Sequence, residues 1–366
     1  MILVVGAGIA GLASALCLSA HDEVLVAERR GETAANAGAG IQLAPNAMKA
    51  LTAIGAAEAV AEAAHRPEDL TVRSGGRGKA LTRLPYGDFP TRYGAPNLTL
   101  SRQALHGALL AKVMANSAIT VRYDCAVGRL TDGTDGLTCR KAGGPFRLVV
   151  AADGVNSAVR GQFVGDGPRD TGYVAWRGEG GGGSGSNATG STLTMLPGRH
   201  IVRYPIGRDH GNVVMVARER ARPPDRLTRR DGGHLIDDVV RWTPWPIAVR
   251  PRHVFRAGRV AFVGDAAHAM VPFLAQGAAM ALEDVAVLGA AVAQRGLTTD
   301  ALGQYETARR VRTEAMAERS SRQGSIYHLP PGPSHVRDFT MARLGASGIL
   351  KRVDWIYRWD PPPASA

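Results

Sequence analysis

The ten residues 2–11, ILVVGAGIAG, constrain the fold of this chain more than any other stretch. A four-residue apolar run passes directly into three glycines spaced GxGxxG, and a helical apolar pattern follows through Leu12, Ala15, Leu16 and Leu18. A second buried-strand pattern, EVLVAE, occupies residues 23–28. Strand, glycine turn, helix and strand in this order predict a βαβ unit that opens a Rossmann-like sheet. Gly6 permits the tight turn, Gly8 lets the backbone approach a pyrophosphate, and Gly11 lets helix and strand pack closely. Glu28 closes the second strand 17 residues after Gly11, where a carboxylate can accept hydrogen bonds from both ribose hydroxyls.

At 366 residues with 45% apolar content, the chain is long enough for two domains, or for one domain with another wound through it. No stretch reads as 18 to 20 uninterrupted apolar residues, and the first apolar run lacks a cationic lead, so neither a membrane span nor a cleaved signal is expected. A cytoplasmic location is the resulting expectation, and the isolated Cys17, Cys125 and Cys139 suit a reducing compartment. The net charge of +12 comes from arginines dispersed along the chain, with aromatics at only 5%. Nucleic-acid binders cluster their cations or interleave them with aromatics, so that class of partner is disfavoured.

Further along, a helix is expected from about Asn46 and another over 102–116. ITVRY, LTCRK and FRLVVAAD read as strands of a meander, RHIVRYPI and NVVMVAR as further strands, and HLIDDVVRW as a short helix. GGGGSGSNATGS at 180–191 is a flexible linker by composition. RVAFVGD reads as a buried strand, with helices over 278–293 and 301–321 and a tail of helices broken by prolines.

Two more motifs stand at predicted strand ends: VVAADGVNSAVR over 149–160 and VGDAAHAMVPFLAQGAAMALED over 263–284. Taken with GAGIAG and Glu28, they make the chain resemble the FAD-dependent aromatic hydroxylases, single-component flavoprotein monooxygenases. The salicylate, hydroxybenzoate and hydroxynicotinate hydroxylase branch is the nearest in pattern. GAGIQLAPNAMKAL, GYVAWRG and YHLPP extend the likeness over most of the chain.

The resemblance implies an α/β fold: a Rossmann-like FAD-binding domain with an inserted mixed-sheet substrate domain and a helical C-terminal tail. Residues 1–70, 100–170 and 253–320 would form the first, 71–99 and 171–252 the second, and 321–366 the tail. It implies that Gly264 and Asp265 hold a ribityl or ribose hydroxyl of FAD. Arg102, Gln42 and Pro272 would lie against the cofactor, and Gly277 and Ala278 would bring a helix N-terminus to the flavin ring. The resemblance implies that Asp153 and Gly154 serve both FAD and a transient NADH or NADPH; the sequence has no second GxGxxG fingerprint, so the donor would bind briefly over the same flavin. The implied reaction is NAD(P)H-dependent hydroxylation of an aromatic or heteroaromatic small molecule, with molecular oxygen activated as a flavin C4a-hydroperoxide. A homodimer is compatible with the resemblance.

Hydroxylation of a phenol needs a group that handles its proton. Tyr204 and His200, four residues apart on one predicted strand, face the same side and are the candidate catalytic pair, with Tyr204 preferred as base. Arg203 would suit a carboxylate but points to the opposite side, and His268 reads as structural. Two departures from the family pattern qualify the expectation. Phe273 stands where several relatives carry a histidine, which favours a more apolar ligand or a different way of activating it. The segment between GYVAWRGEG and Gly264-Asp265 is short, so part of the substrate cover is expected to be missing and peroxide to leak. The alternatives are flavin-dependent epoxidation or oxidation of a non-phenolic natural product, and a flavin-carrying binding protein with a basic surface.

Overall fold

The computed structural model describes residues 1–32, 40–75, 78–181, 189–207 and 210–363. A six-stranded sheet forms around Ile2–Val5, which runs parallel to Val24–Ala27 on one side and to Leu148–Ala151 on the other. Ile119–Arg122 extends one edge, and Val260–Phe262 with the antiparallel Arg256–Ala257 extends the other. The three central strands are buried at every residue, as a parallel sheet covered on both faces requires.

Small residues set how closely this sheet and its helices approach. Gly6 has φ +101°, and a Cβ there would lie 2.8 Å from the Ala152 carbonyl oxygen. A Cβ on Gly11 would lie 1.8 Å from the Gly6 carbonyl oxygen, so any other residue pushes the first helix, Ile9–Leu18, off the sheet. At Gly264, φ +59°, an added Cβ would come within 3.1 Å of Ala281 Cβ and 3.4 Å of Ala10 Cβ. The alanine-rich helix Gly277–Arg295 is thus built from small residues because two helices and a strand end converge there.

A second, seven-stranded sheet runs in the order Trp242–Val249, Arg169–Gly181, His210–Arg218, Arg199–Pro205, Ser191–Leu196, Asp69–Ser74, Lys79–Pro85. All neighbours are antiparallel except Ser191–Leu196 with Asp69–Ser74. Four of the seven strands come from the stretch expected to be depleted, and the sheet is continuous across them among the described residues. The short pair Gly40–Leu43 and Leu98–Ser101 bridges the two sheets. The helix Thr299–Tyr327 and the tail helix Pro333–Tyr357, interrupted at Gly345 (φ +60°), close the molecule.

Several expectations are corrected. ITVRY is no meander strand: Ile119–Arg122 pairs in parallel with Val24–Ala27. HLIDDVVRW holds only the 3-10 turn Gly233–Leu235, because the Leu235 carbonyl that an α-helix would return to Val239 accepts the Arg203 Nη2 instead, at 3.1 Å. Of the 180–191 stretch, Gly180 and Gly181 pair in a strand with Gly211 and His210, Ser191 starts another strand, and 182–188 lie outside the described residues. Gly277–Arg295, 19 residues long with mean hydropathy 1.3, is by length and composition alone long and apolar enough to cross a membrane. It carries a buried Glu283 and Asp284 and packs among Ile9–Leu18, Pro45–Ala53 and Thr299–Tyr327, which marks it as a core helix.

Those two acids organise the core beneath the third motif. Asp284 accepts from the Gly264 N–H (2.8 Å), His268 Nε2 (2.5 Å) and Arg309 Nε (2.7 Å). Glu283 accepts from Arg309 Nη1 (2.7 Å), Arg312 Nε (2.6 Å) and Asn46 Nδ2 (2.7 Å). Burial alone would raise the Asp284 carboxyl, but the facing His268 and Arg309 hold it below the usual carboxylate range. Breaking a buried pair leaves an uncompensated charge, which costs more than the pair contributes. Arg309→Leu is therefore expected to lose about 3–5 kcal/mol of stability, read from urea denaturation followed by circular dichroism; a loss under about 1 kcal/mol would show that the cluster is not structural.

Candidate active-site cleft

The residues singled out in the three motifs gather where the strands Ile2–Val5, Val24–Ala27, Leu148–Ala151 and Val260–Phe262 end: Gly6, Glu28, Asp153 and Gly264 each follow within two residues of a strand end. Glu28 Oε2 accepts the Ala7 N–H at 2.9 Å, and Oε1 accepts the Arg30 N–H at 3.0 Å. Burial pushes this carboxyl up, but the N–H donors of Ala7 and Arg30 and the Arg30 charge more than offset that and keep it ionised. A Cβ on Gly8 would meet no atom within 4 Å, so the turn presents bare backbone to the cleft. Ser101 Oγ accepts the Ala104 N–H at 3.0 Å, starting the helix Arg102–Met114 with Arg102 as its first residue. The pairing of Gly40 with Ser101 and Gln42 with Thr99 sets Gln42 on the strand beside it.

Asp153 Oδ2 accepts the N–H groups of Ala158 (2.8 Å) and Val159 (3.2 Å), while Oδ1 is buried without a partner among the described residues. Gly154 turns the chain there with φ +79°. Asp265 opens the short helix Asp265–His268 with its side chain exposed, and its charge acts on both Arg102 and Arg177. Arg102 is exposed, yet desolvation by the surrounding protein lowers its pKa; Asp265 opposes this and Arg30 adds to it. The loop Pro272–Gln276 follows, with Ala275 in the left-handed region at φ +53°. A non-glycine residue held there marks local strain of about 1 kcal/mol or more, of the kind that gathers at functional sites. Gln276 is buried and accepts Asn46 Nδ2 at 3.0 Å, and Gly277 and Ala278 begin the helix with no side-chain cap over their N–H groups.

Sequence reasoning missed three residues of this cleft. Arg160, the last residue of the second motif, is fully buried: it pairs with Asp166 (2.6 Å) and donates to the carbonyls of Ala266 (2.9 Å), Ala267 (2.7 Å) and Arg252 (2.6 Å). It clasps the second motif to the third, and its helical spacing after Ser157 was the visible signal. Asn212 is fully buried, and its Oδ1 accepts the Gly40 N–H at 2.7 Å, joining the bridging pair to the large sheet. Nothing local in the sequence announced it.

Arg177 is the third. Cross-strand partners share a face of a sheet. On Arg199–Pro205 the residues His200, Val202 and Tyr204 stand opposite Val216, Val214 and Asn212, and Val214 in turn stands opposite Arg177. One face therefore carries an apolar row, Val202–Val214, that ends in Arg177, with His200 on one flank and Tyr204 on the other. Arg203 points to the opposite face and pairs with Asp238 at 2.5 Å. The Arg177 guanidinium lies 4.8 Å from the Trp245 ring, and no described residue gives it a carboxylate or hydrogen-bond partner. Burial and the neighbouring Arg102 disfavour its charge, whereas Tyr204 and Asp265 support it.

His200 and Tyr204 are both buried. Burial raises the Tyr204 phenol well above its ordinary value, with Arg177 opposing weakly, so the phenol stays protonated. His200 is pushed down to about 3 by burial, with a smaller effect from His328. The edge-on ring of Phe273 lies 5.6 Å from His200 and 5.4 Å from Tyr173. His268, the other histidine weighed, is taken up by Asp284. A surface groove of about 1080 Å³ between Ile9–Leu18, Ala57–Glu62 and Arg102–Met114 contains none of these groups, and its lining lacks the converging charges of the cleft.

A family model described as an FAD binding domain matches residues 1–178 and 180–320. The 3-amino-4-hydroxybenzoate 2-monooxygenase of Streptomyces cremeus is 33% identical over 97% of this chain and 94% of its own. The 3-hydroxybenzoate 6-hydroxylase of Klebsiella oxytoca is 28% identical over 98% and 96%. Among solved structures, Klebsiella pneumoniae HpxO complexed with FAD and uric acid superposes with TM-score 0.85 at 23% identity, covering 98% of this chain and 96% of that one. Fold and cleft define a flavin-dependent monooxygenase. The chain belongs to the FAD-dependent aromatic hydroxylase family.

Two outcomes follow for the cleft. A Cβ on Gly40 would lie 2.6 Å from Tyr204 Cε2 and 2.7 Å from Asn212 Cβ. Gly40→Ala is expected to displace Tyr204 and cost about 1–3 kcal/mol, measured by thermal unfolding; an unchanged midpoint would mean that the bridge yields freely. His200, His253 and His328, held down to about 3, 4 and 4, are neutral in the fold but charge near 6.5 when unfolded. Their contribution is complete above pH 6.5 and is lost as pH falls towards 4, so unfolding near pH 5 should take up protons. The double variant His200→Gln, His328→Gln should flatten this limb of the stability curve, and an unchanged limb would assign it to other groups.

Proposed function

We propose that this chain uses FAD and NADH or NADPH to hydroxylate a phenolic aromatic acid, the class of compound named for its benzoate-acting relatives. The observation that carries the reading is the row Val202–Val214–Arg177 flanked by His200 and Tyr204. A flat ring fits over the two valines, and a carboxylate fits the unpartnered guanidinium, because a planar fork of N–H donors matches a carboxylate. Tyr204 and His200 stand about 13 Å apart along the strand, room for one substituted ring between their side chains.

The cleft residues fit FAD. Glu28 suits a ribose, and the bare backbone of Gly6, Gly8 and Gly11 suits the pyrophosphate with Arg102 beside it. Gly264 and Asp265 present a carboxylate for a further hydroxyl. Gln42, Pro272 and the N–H groups of Gly277 and Ala278 suit the flavin ring, where a helix N-terminus favours negative charge. Asp153 and Gly154 suit the transient nicotinamide donor, and the buried Asp153 Oδ1 offers an unused acceptor. On this reading the FAD-binding unit comprises 1–70, 100–170 and 253–320, with 71–99 and 171–252 as the substrate unit. When bound, FAD supplies the electrons and the activated oxygen.

The protein's own part is to bind, orient and shield. Arg177 holds the carboxylate, which fixes the ring carbon presented to the cofactor. Phe273 and Tyr173 form an apolar wall that keeps water from the ring. Tyr204, protonated, donates a hydrogen bond to the ring substituent, and neutral His200 accepts the phenol proton. This ordering reverses the preference for Tyr204 as base, since burial favours the neutral phenol.

The test is the rate at which NADH or NADPH reduces the bound flavin without oxygen, across a panel of phenolic acids and the same phenols lacking the carboxylate. Acceleration by a phenolic acid is expected, and Arg177→Gln should raise the KM for the acid at least 10-fold, the scale of a lost charge-assisted hydrogen bond, while leaving the phenol unaffected. Equal response to acids and plain phenols would remove Arg177 from recognition.

A further inference from the structure

We propose that His200 and His328 form a two-imidazole relay that carries the substrate's phenolic proton from the buried pocket to solvent. The inference rests on the reading of the site as a phenol-hydroxylating pocket and adds to it a residue of the tail. Nδ1 of His200 lies 2.8 Å from Nε2 of His328, 128 residues away in sequence. The rings are 5.1 Å apart and tilted by 33°. One nitrogen of this contact must donate and the other accept, so each ring's outer nitrogen is fixed by the other.

His200 is 3% exposed and His328 half-buried at the end of Thr299–Tyr327, so the pair runs from the pocket wall outward. Neither His200 Nε2 nor His328 Nδ1 bonds to a described residue, and neither is among the sealed polar atoms. When His200 donates from Nδ1, its Nε2 carries a bare lone pair and His328 carries its proton on Nδ1.

In the transfer, the phenol O–H breaks as His200 Nε2–H forms. His200 Nδ1–H breaks as His328 Nε2–H forms, and His328 Nδ1–H passes to water. Both rings end neutral in the opposite tautomer, and one proton has reached solvent. Reprotonation of the product phenolate runs the chain backwards and resets the pair.

The surroundings require a relay rather than a resting base. Arg218 and Arg199 act on His328, and the rings of Tyr173, Tyr327 and Phe273 face the pair; burial with the neighbouring His328 holds His200 near 3, and burial with the two cations holds His328 near 4. An imidazolium does not persist there, so a proton that arrives must leave at once. The pair also supplies polar function beside Phe273, the position where the family pattern led one to look for a histidine.

The test begins with nitrogen NMR of the histidine-labelled protein, which needs no turnover. The expected spectrum shows His200 protonated on Nδ1 with Nε2 bare, and both rings neutral down to about pH 4. His200 protonated on Nε2 at rest would overturn the relay, because that nitrogen could not accept. His328→Gln, whose amide oxygen still accepts from Nδ1, should keep the KM and lower kcat about 100-fold; His328→Gly should recover with added imidazole. Unchanged kcat in His328→Gln would equally overturn it. If the wild type hydroxylated no phenolic acid, the functional reading would fall with the relay's purpose, while the tautomer would still decide whether the pair is built to accept a proton.

Discussion

The cleft depends on two carboxylates that never see water. Glu283 and Asp284 lie in the middle of the helix Gly277–Arg295, and every strong donor around them belongs to a different part of the chain. Asp284 holds the Gly264 turn and His268, Arg309 ties both acids to the helix Thr299–Tyr327, and Arg312 reaches on to the carbonyls of Trp355 and Ile356 in the tail helix. Asn46 joins Glu283 to Gln276 in the loop under the pocket. Charges this deep are tolerated only when fully paired. The third motif, the pocket loop and the tail are therefore positioned by one network, and Arg160 performs the same service between the second and third motifs.

Glycine and alanine determine the shape within which that network acts. Gly11 against Gly6 and Gly264 against Ala10 and Ala281 allow two helix N-termini to reach the sheet edge. On the proposed reading the cofactor would meet mostly backbone there. On that reading side chains enter mainly as charges: Glu28, Arg102 and Asp265 towards the cofactor, and Arg177 from the seven-stranded sheet. Arg177 links the two halves of the proposed site, since Arg102, Tyr204 and Asp265 all act on its charge.

The cofactor half was legible in the sequence because each motif is local. Glycine spacing, strand ends and acid positions specify the turn geometry within a dozen residues, and the structure sets Gly6, Glu28, Asp153 and Asp265 just past the ends of neighbouring strands of one sheet. The substrate half was only partly legible. Alternation told which residues of RHIVRYPI share a face, but Arg177 joins that face through two strand pairings whose register no local pattern states. His328 was invisible for the same reason: it meets His200 across 128 residues through the packing of the tail. HLIDDVVRW failed because a distant arginine took the carbonyl its helix needed, whereas the core helix Gly277–Arg295 was legible over 278–293.

The central claim is that this pocket inserts one oxygen atom into a phenolic acid held by Arg177 between His200 and Tyr204. It is tested most directly by turnover with a hydroxybenzoate under oxygen-18 gas, followed by mass spectrometry of the product. The account predicts a dihydroxy acid carrying one labelled atom, with NAD(P)H consumed in step with it. Consumption of NAD(P)H with only hydrogen peroxide formed, or a product without label, for every phenolic acid tried would contradict it.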